Sequence, residues 1–380
     1  MVACNGPSTS VDDEPAPARF GRADVERASR PTRIALELTG LDAWNEGDSL
    51  QLVSPGTGTT LAGLEQSIAI APSRGSTTLT GQQLDWTGLH APLIDAARGD
   101  VTYVTQLVQH DGYASVGRAG IARGFTVADG APATLTAQLA PVAQDRRLEL
   151  VYRGSAFAAL AAEAGPGARP AAMASIAIAA LPEPLAHANP FAATLYQGLP
   201  QLAVVGAHLA SADAPLALGY GDPFDRWTEF ATVVYPMSVG VITADGATSL
   251  PARIVTATPV DRLAAADGIR PVLSPVRDVE VNGLSLAVDQ AGLGAAPTVR
   301  WQPPALGRAT DYIVEVREVV SRPLGIELPV VATLHTRSPS LQLPPVATAG
   351  KTYVLTITAT TAPGTLPYAS ADHVTAKLSL

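Results

Sequence analysis

The hydrophobic residues of this chain recur mainly every second position, the spacing of a strand with one face turned to a core. In RIALELTGL, Ile34, Leu36 and Leu38 alternate with Ala35, Glu37 and Thr39. EGDSLQLVS, DVTYVTQLVQH, ATLTAQLA and RLELVY follow the same rule. Gly56, Gly75, Gly81, Gly112 and Gly130 separate these segments with turn signals. Strands at this spacing, without amphipathic helices between them, predict antiparallel sandwiches or barrels. MASIAIAAL, TLYQGLPQLAVVGAHL, FATVVYPMSVGVIT and ARIVTATPV continue the pattern, and Pro182, Pro184, Pro190 and Pro200 mark connections at a sheet face or edge. SAFAALAAEAG (155–165) is the one helix candidate, capped by Ser155 and stopped by Gly165–Pro166.

The fold class expected is therefore all-β, with antiparallel β-sandwich domains in tandem. Residues 32–145 and 146–262 divide the first two β-rich regions, and the pattern leaves open whether they share one core. DRLAAADGIRP (261–271) looks like a linker, bounded at 263–271, ahead of a last domain over 272–380.

Composition narrows the function classes. The net charge of −9 lacks the basic footprint of a nucleic-acid binder. No run of about 18 apolar residues exists to span a membrane as a helix. Cys4 is the only cysteine, so neither an internal disulfide nor a cysteine cluster for zinc can form.

Cys4 carries a resemblance. Val2, Ala3 and Cys4 are similar to the last three positions of the box that ends a bacterial lipoprotein signal peptide, with Met1 where leucine is usual. The resemblance implies lipid attachment at Cys4, an apolar signal segment upstream of Met1, and a membrane surface as partner. Residues 5–31 are rich in Pro, Ser and charge and predict a disordered tether. Asn5 after the cysteine implies the outer membrane under the Gram-negative sorting rule.

The C-terminal stretches TVRWQPP, DYIVEVREV and GKTYVLTITAT resemble a fibronectin type III domain over about residues 271–380. Trp301, Pro303, Pro304, Tyr312 and Tyr353 stand in that family's order, and the resemblance implies that Trp301, Tyr312 and Tyr353 build its core. It also implies that the domain folds alone, with NGLSLAVDQAGLGAA (282–296) as a loop insertion and DHVTAKLSL as the closing strand. This fold hosts many roles and implies no activity. Phrases such as LTGLDAWNEGDSLQLVS are also similar to uncharacterised secreted proteins of GC-rich bacteria.

No catalytic constellation stands out. There is no G-x-S-x-G elbow. The six histidines (His90, His110, His187, His208, His335, His373) lack ligand spacing. Asp222 and Asp225 flank a proline turn without a calcium-loop pattern, so Asp222 reads as a turn former. Glu37, Glu149, Glu229 and Glu315 fall at alternating positions that predict outward side chains. Trp44, Trp86 and Trp227 read as core rather than a glycan platform. Arg98–Gly99–Asp100 reads as a turn before a strand, not an integrin motif. The sequence points to no catalytic residue, metal or cofactor. It points to a non-enzymatic envelope or secreted protein, structural or binding an unknown protein or glycan. The alternative is a secreted enzyme or accessory protein acting on polysaccharide, with the fibronectin-like domain as spacer.

Overall fold

The computed structural model describes residues 24–68, 72–182, 199–224, 227–243, 246–263, 268–294, 296–322, 325–343, 350–361 and 367–379. Strands account for 55% of the chain and helix for 7%, so the protein is all-β.

The N-terminal strands are β1 (Arg33–Thr39), β2 (Ser49–Ser54), β3 (Thr59–Ala62), β4 (Thr78–Asp85), β5 (Tyr103–Gln109), β6 (Tyr113–Ile121), β7 (Ala133–Gln138) and β8 (Ala140–Pro141). The sheet β4-β1-β7 faces the sheet β3-β2-β5-β6. Ile34, Leu36 and Leu38 meet Leu50, Leu52 and Val104 between them, together with Trp44 and Trp86. The strand alternation that identified β1 and β2 is thus the inner lining of one core. One pairing departs from the antiparallel expectation: β1 runs parallel to β7, with Ile34 opposite Ala133. Nearly a hundred residues separate these strands, enough for the crossover that a parallel pair needs.

The middle region holds β9 (Arg146–Arg153), helix α1 (Gly154–Ala158), β10 (Arg169–Pro170), β11 (Met173–Pro182), β12 (Gln201–Leu209), β13 (Asp213–Tyr220), β14 (Trp227–Thr243) and β15 (Gly246–Pro259). The ribbon β13-β9 covers the sheet β12-β11-β14-β15. Along β14, Ala231, Val233, Tyr235, Met237, Val239 and Val241 all turn into the core. Pro236 sits inside this strand where no ladder is broken. β11 pairs with β14 only as far as Val234, and β10 begins at Met237. The carbonyl of Pro236 accepts from Ala171 N at 2.9 Å in the gap between them.

The expected helix over 155–165 is a single α-turn followed by a 3-10 turn over Ala161–Ala164. Ser155 does not cap it. Asp213, from β13, accepts from both Ser155 N (3.0 Å) and Ser155 Oγ (2.7 Å). Gly165, at φ 142°, ends the segment, and a Cβ there would lie 2.2 Å from Val374 O.

The C-terminal strands are β16 (Arg277–Val281), β17 (Leu284–Ser285), β18 (Thr298–Gln302), β19 (Asp311–Glu318), β20 (Val320–Arg322), β21 (Gly325–Glu327), β22 (Val330–Thr336), β23 (Ser340–Gln342), β24 (Thr352–Thr360), β25 (Tyr368–Val374) and β26 (Leu378–Ser379). The sheet β17-β16-β18-β23 faces β22-β19-β24-β25. Trp301, Tyr312 and Tyr353 are buried between them, the Trp301 ring meeting Tyr312 edge-on at 5.2 Å. The 282–296 stretch is more than a surface loop. Leu286 and Leu293 enter the core, and Gln290 N bonds Lys377 O at 2.9 Å.

The three regions are not separate beads. A single path of hydrogen-bonded strands, β22-β19-β24-β25-β15-β14-β11-β12-β6-β5-β2-β3, runs through all of them. At the first joint, Tyr113, Ala114 and Ser115 of β6 pair with Val205, Val204 and Ala203 of β12. At the second, Ile254 to Ala257 of β15 pair with Ala371 to Tyr368 of β25. The middle core also takes Val53 from β2 and Val354, Ala371 and Val374 from β24 and β25. The last domain therefore has a complete core of its own, while its outer face and one sheet edge are covered by the middle region. The expected linker is only partly a connector: Ile269 is buried in the middle core and bridges Tyr152.

Gln51 locks the first joint. Its side-chain amide donates to Gln201 O (2.6 Å) and accepts from Gln201 N (3.1 Å), and no part of it reaches solvent. Gln51→Leu leaves both backbone groups without this partner and is expected to cost about 2–4 kcal/mol. Trp301→Ala should cost about 3–5 kcal/mol. Thermal or urea unfolding of the full chain measures both, and an unchanged midpoint for either variant contradicts the packing described.

Candidate functional site

One residue, Leu139, separates β7 from β8, so the chain passes there from one sheet of the N-terminal sandwich to the edge of the other. Gly120 of β6 permits this close crossing, because a Cβ at that position would lie 2.5 Å from Gln138 O. The loop after β13 approaches from the middle region. Between them lies a cleft of about 830 Å³, bordered by Tyr103, Ile121, Arg123, Gln138, Pro141 and Asp222. That volume lies within the usual range of small-molecule and peptide-side-chain sites.

Among the described residues, Asp222 is the one carboxyl group in the cleft wall. Its side chain is 6% exposed, and Oδ1 accepts from Phe224 N at 2.8 Å, the turn-forming role expected from Asp222–Pro223. Arg146 spans the two acids of the site: Nη2 lies 3.7 Å from Asp222 Oδ2, and Nη1 lies 3.0 Å from Glu229 Oε1. The Tyr220 hydroxyl donates to Glu229 Oε2 at 2.6 Å. Burial pushes the Asp222 carboxyl up to about 6, and the neighbouring Glu229 charge acts in the same direction. The Phe224 N–H and the Arg146 guanidinium offset part of this rise. Burial, and next the bond to Glu229, raise the Tyr220 phenol. Around pH 6 the Asp222 carboxyl of the cleft wall can therefore give or take a proton, and the half-exposed Arg146 guanidinium, outside the cleft lining, lies next to it.

Aromatic rings brace this wall. Phe224 stacks on Trp227 with centroids 4.2 Å apart, and Tyr103 meets them edge-on at 5.2 and 5.9 Å. These contacts fix the Asp222 loop against β5 of the N-terminal sandwich.

Glu229 corrects an expectation. It points inward, 10% exposed, rather than outward. The signal was present in the sequence: Glu229 shares parity with Ala231, Val233 and Tyr235, the core-facing set of β14. Polar partners on β9 and β13 make that position tolerable for a carboxylate. The other three acids do not join the site. Glu149 and Glu315 pair locally with Arg147 and Arg317, and Glu37 accepts from Gly81 N.

The remaining candidates are dispersed. Cys4 lies outside the described residues, as do Asp225 and His187. Trp301, Tyr312 and Tyr353 belong to the C-terminal core. Trp44 and Trp86 are buried in the N-terminal core, where Trp86 Nε1 donates to Pro92 O at 2.9 Å. Asp100 is buried and accepts from Asp95 N at 2.9 Å, which removes it from any integrin-like display. His373 is partly buried, its Nδ1 2.7 Å from Glu163 O, and desolvation lowers its pKa. Among the described residues no three His, Cys, Asp or Glu side chains cluster to hold a metal ion.

No protein-family model matches the chain, and no curated protein matches it in sequence.

The raised Asp222 pKa has a definite sign. The folded state holds this proton more tightly than the unfolded chain, so Asp222 destabilises the protein above pH 6 and ceases to do so below about pH 4. The wild-type minus Asp222→Asn difference in melting temperature should therefore change across pH 4–6, with Asn relatively favoured at neutral pH. A difference that stays constant across this window contradicts the assignment.

Proposed function

We propose that this chain is a non-enzymatic β-domain protein of the bacterial cell envelope. In this reading it is an outer-membrane lipoprotein anchored at Cys4, and it binds a surface partner, protein or glycan, at the cleft beside Asp222. The observation that carries the reading is the strand ladder crossing both joints, which makes three cores one stiff unit. Such a unit suits a spacer or presenting surface, because a ligand site between domains keeps its shape only if the domains do not swing. The facing sheets β17-β16-β18-β23 and β22-β19-β24-β25, with Trp301, Tyr312 and Tyr353 inside, support a fibronectin type III domain at the C-terminal end.

Asp222 favours a second reading, a secreted enzyme or accessory protein acting on polysaccharide. A carboxyl group that titrates near 6 in a cleft, coupled through Arg146 to a second carboxylate, is a fit precursor for acid–base chemistry. A glycan array and a hydrolase panel on the full chain separate the two. Binding without turnover, weakened by Asp222→Asn, is the expected result. Turnover that Asp222→Asn abolishes establishes the enzyme instead.

The anchor is tested by expression from the native upstream sequence in a bacterial host, with fractionation and mass spectrometry of the N-terminal peptide. Membrane-bound protein lipidated at Cys4 is expected, with Cys4→Ser shifting it to the soluble fraction. A soluble protein with a free Cys4 thiol defeats the proposal.

A further inference from the structure

The long strand path ends on β22, the seven-residue segment Val330–Thr336, VVATLHT. One side of β22 pairs with β19, and among the described residues no strand pairs with the other. An open edge of this kind presents a row of backbone donors and acceptors, which proteins usually blunt with charges, proline or a very short strand. β22 has none of these, and its one irregularity is a bulge near its start, where Val331 has no partner on β19. β22 contains no Asp, Glu, Lys, Arg or Pro, and Val330 and Val331 are 44% and 37% exposed. The opposite end of the path differs: β3 has only four residues, and its Thr59 and Thr60 are each 1% exposed.

This chain already uses open edges to join its own sandwiches. The β6–β12 joint takes three residue pairs and the β15–β25 joint takes four, both antiparallel. The regular stretch of β22 after its bulge, residues 332–336, is longer than either. We propose that β22 is a self-association edge, through which two copies of this chain pair antiparallel about a two-fold axis at Thr333.

The strand is suited to meeting its own copy. With Thr333 on the axis, Ala332 lies opposite Leu334 and Val331 opposite His335. Ala332 and Leu334 already pack against the C-terminal core, so pairing extends that apolar layer across the axis. No charge meets its like, since His335 faces valine rather than itself. A two-fold contact closes on itself and uses only β22. Head-to-tail growth would instead need the short β3, whose first two residues are buried.

The test uses the full chain with Cys4→Ser, which leaves this edge intact and removes the attachment site of the proposed lipid anchor. Sedimentation equilibrium over a wide concentration range should report a monomer–dimer equilibrium. Thr333→Lys places two ammonium groups together at the axis and should weaken the dimer by more than roughly tenfold. Its melting temperature at low concentration should match the parent, because Thr333 is exposed. Thr333→Glu should behave likewise, and an equimolar mixture of the Lys and Glu variants should recover dimer, an outcome that only a contact at this axis produces. A parent chain that stays monomeric overturns the proposal. So does a dimer that Thr333→Lys leaves intact.

Discussion

Backbone N–H and C=O groups at the rim of a β-sheet need partners, and that requirement organises this protein. Each sandwich buries its own apolar lining and is left with strand edges. Two of these edges are satisfied by the neighbouring sandwich, β6 by β12 and β25 by β15. Once the edges meet, the side chains flanking them must pack as well. Val53 on one side and Val354, Ala371 and Val374 on the other therefore become part of the middle core. The cleft beside Asp222 follows from the same geometry, since it opens where β6 has turned from β12 to β8.

Apolar contact alone excludes a one-residue slip between two edges, which would turn the buried face outward, but not a two-residue slip, which keeps the same face inside. Polar groups buried at the joints supply the missing constraint. Gln51 reads both backbone groups of Gln201 at the first joint. At the second, Asp372 accepts from Arg253 N (3.1 Å) and Thr358 Oγ1 (2.8 Å). Burial raises the Asp372 carboxyl, with Arg253 opposing the rise. Each group has its partners only in the observed register, and a shifted one would leave it buried and unsatisfied.

The strands were legible because each encodes its buried face locally. Ile34, Leu36 and Leu38 need no knowledge of the rest of the chain to predict a strand. The joints were not legible, for a physical reason. Ala114, Ala203 and Ser370 pair through their backbones, and backbone hydrogen bonding leaves little trace in residue type. The parallel β1–β7 pair was hidden by the same fact. At the candidate site, Asp222 was visible as a turn former, but its burial against the N-terminal sandwich was not. Glu229 was misread although its parity with Val233 and Tyr235 placed it inside. A lone charge in an apolar register is easily assigned to solvent when its partners, Arg146 and Tyr220, come from other strands.

The covering of β15 by β25 also sets an order of events during synthesis. β14 and β15 emerge with their hairpin complete, yet the strand that closes their outer edge comes only after the whole of β16–β24. Until then Ile254 and Val255 flank an unpaired edge, and the middle core lacks Val354, Ala371 and Val374. A chain delivered from its N-terminus must carry this adhesive intermediate until its last strands arrive, a period in which a holding chaperone has a defined surface to grip.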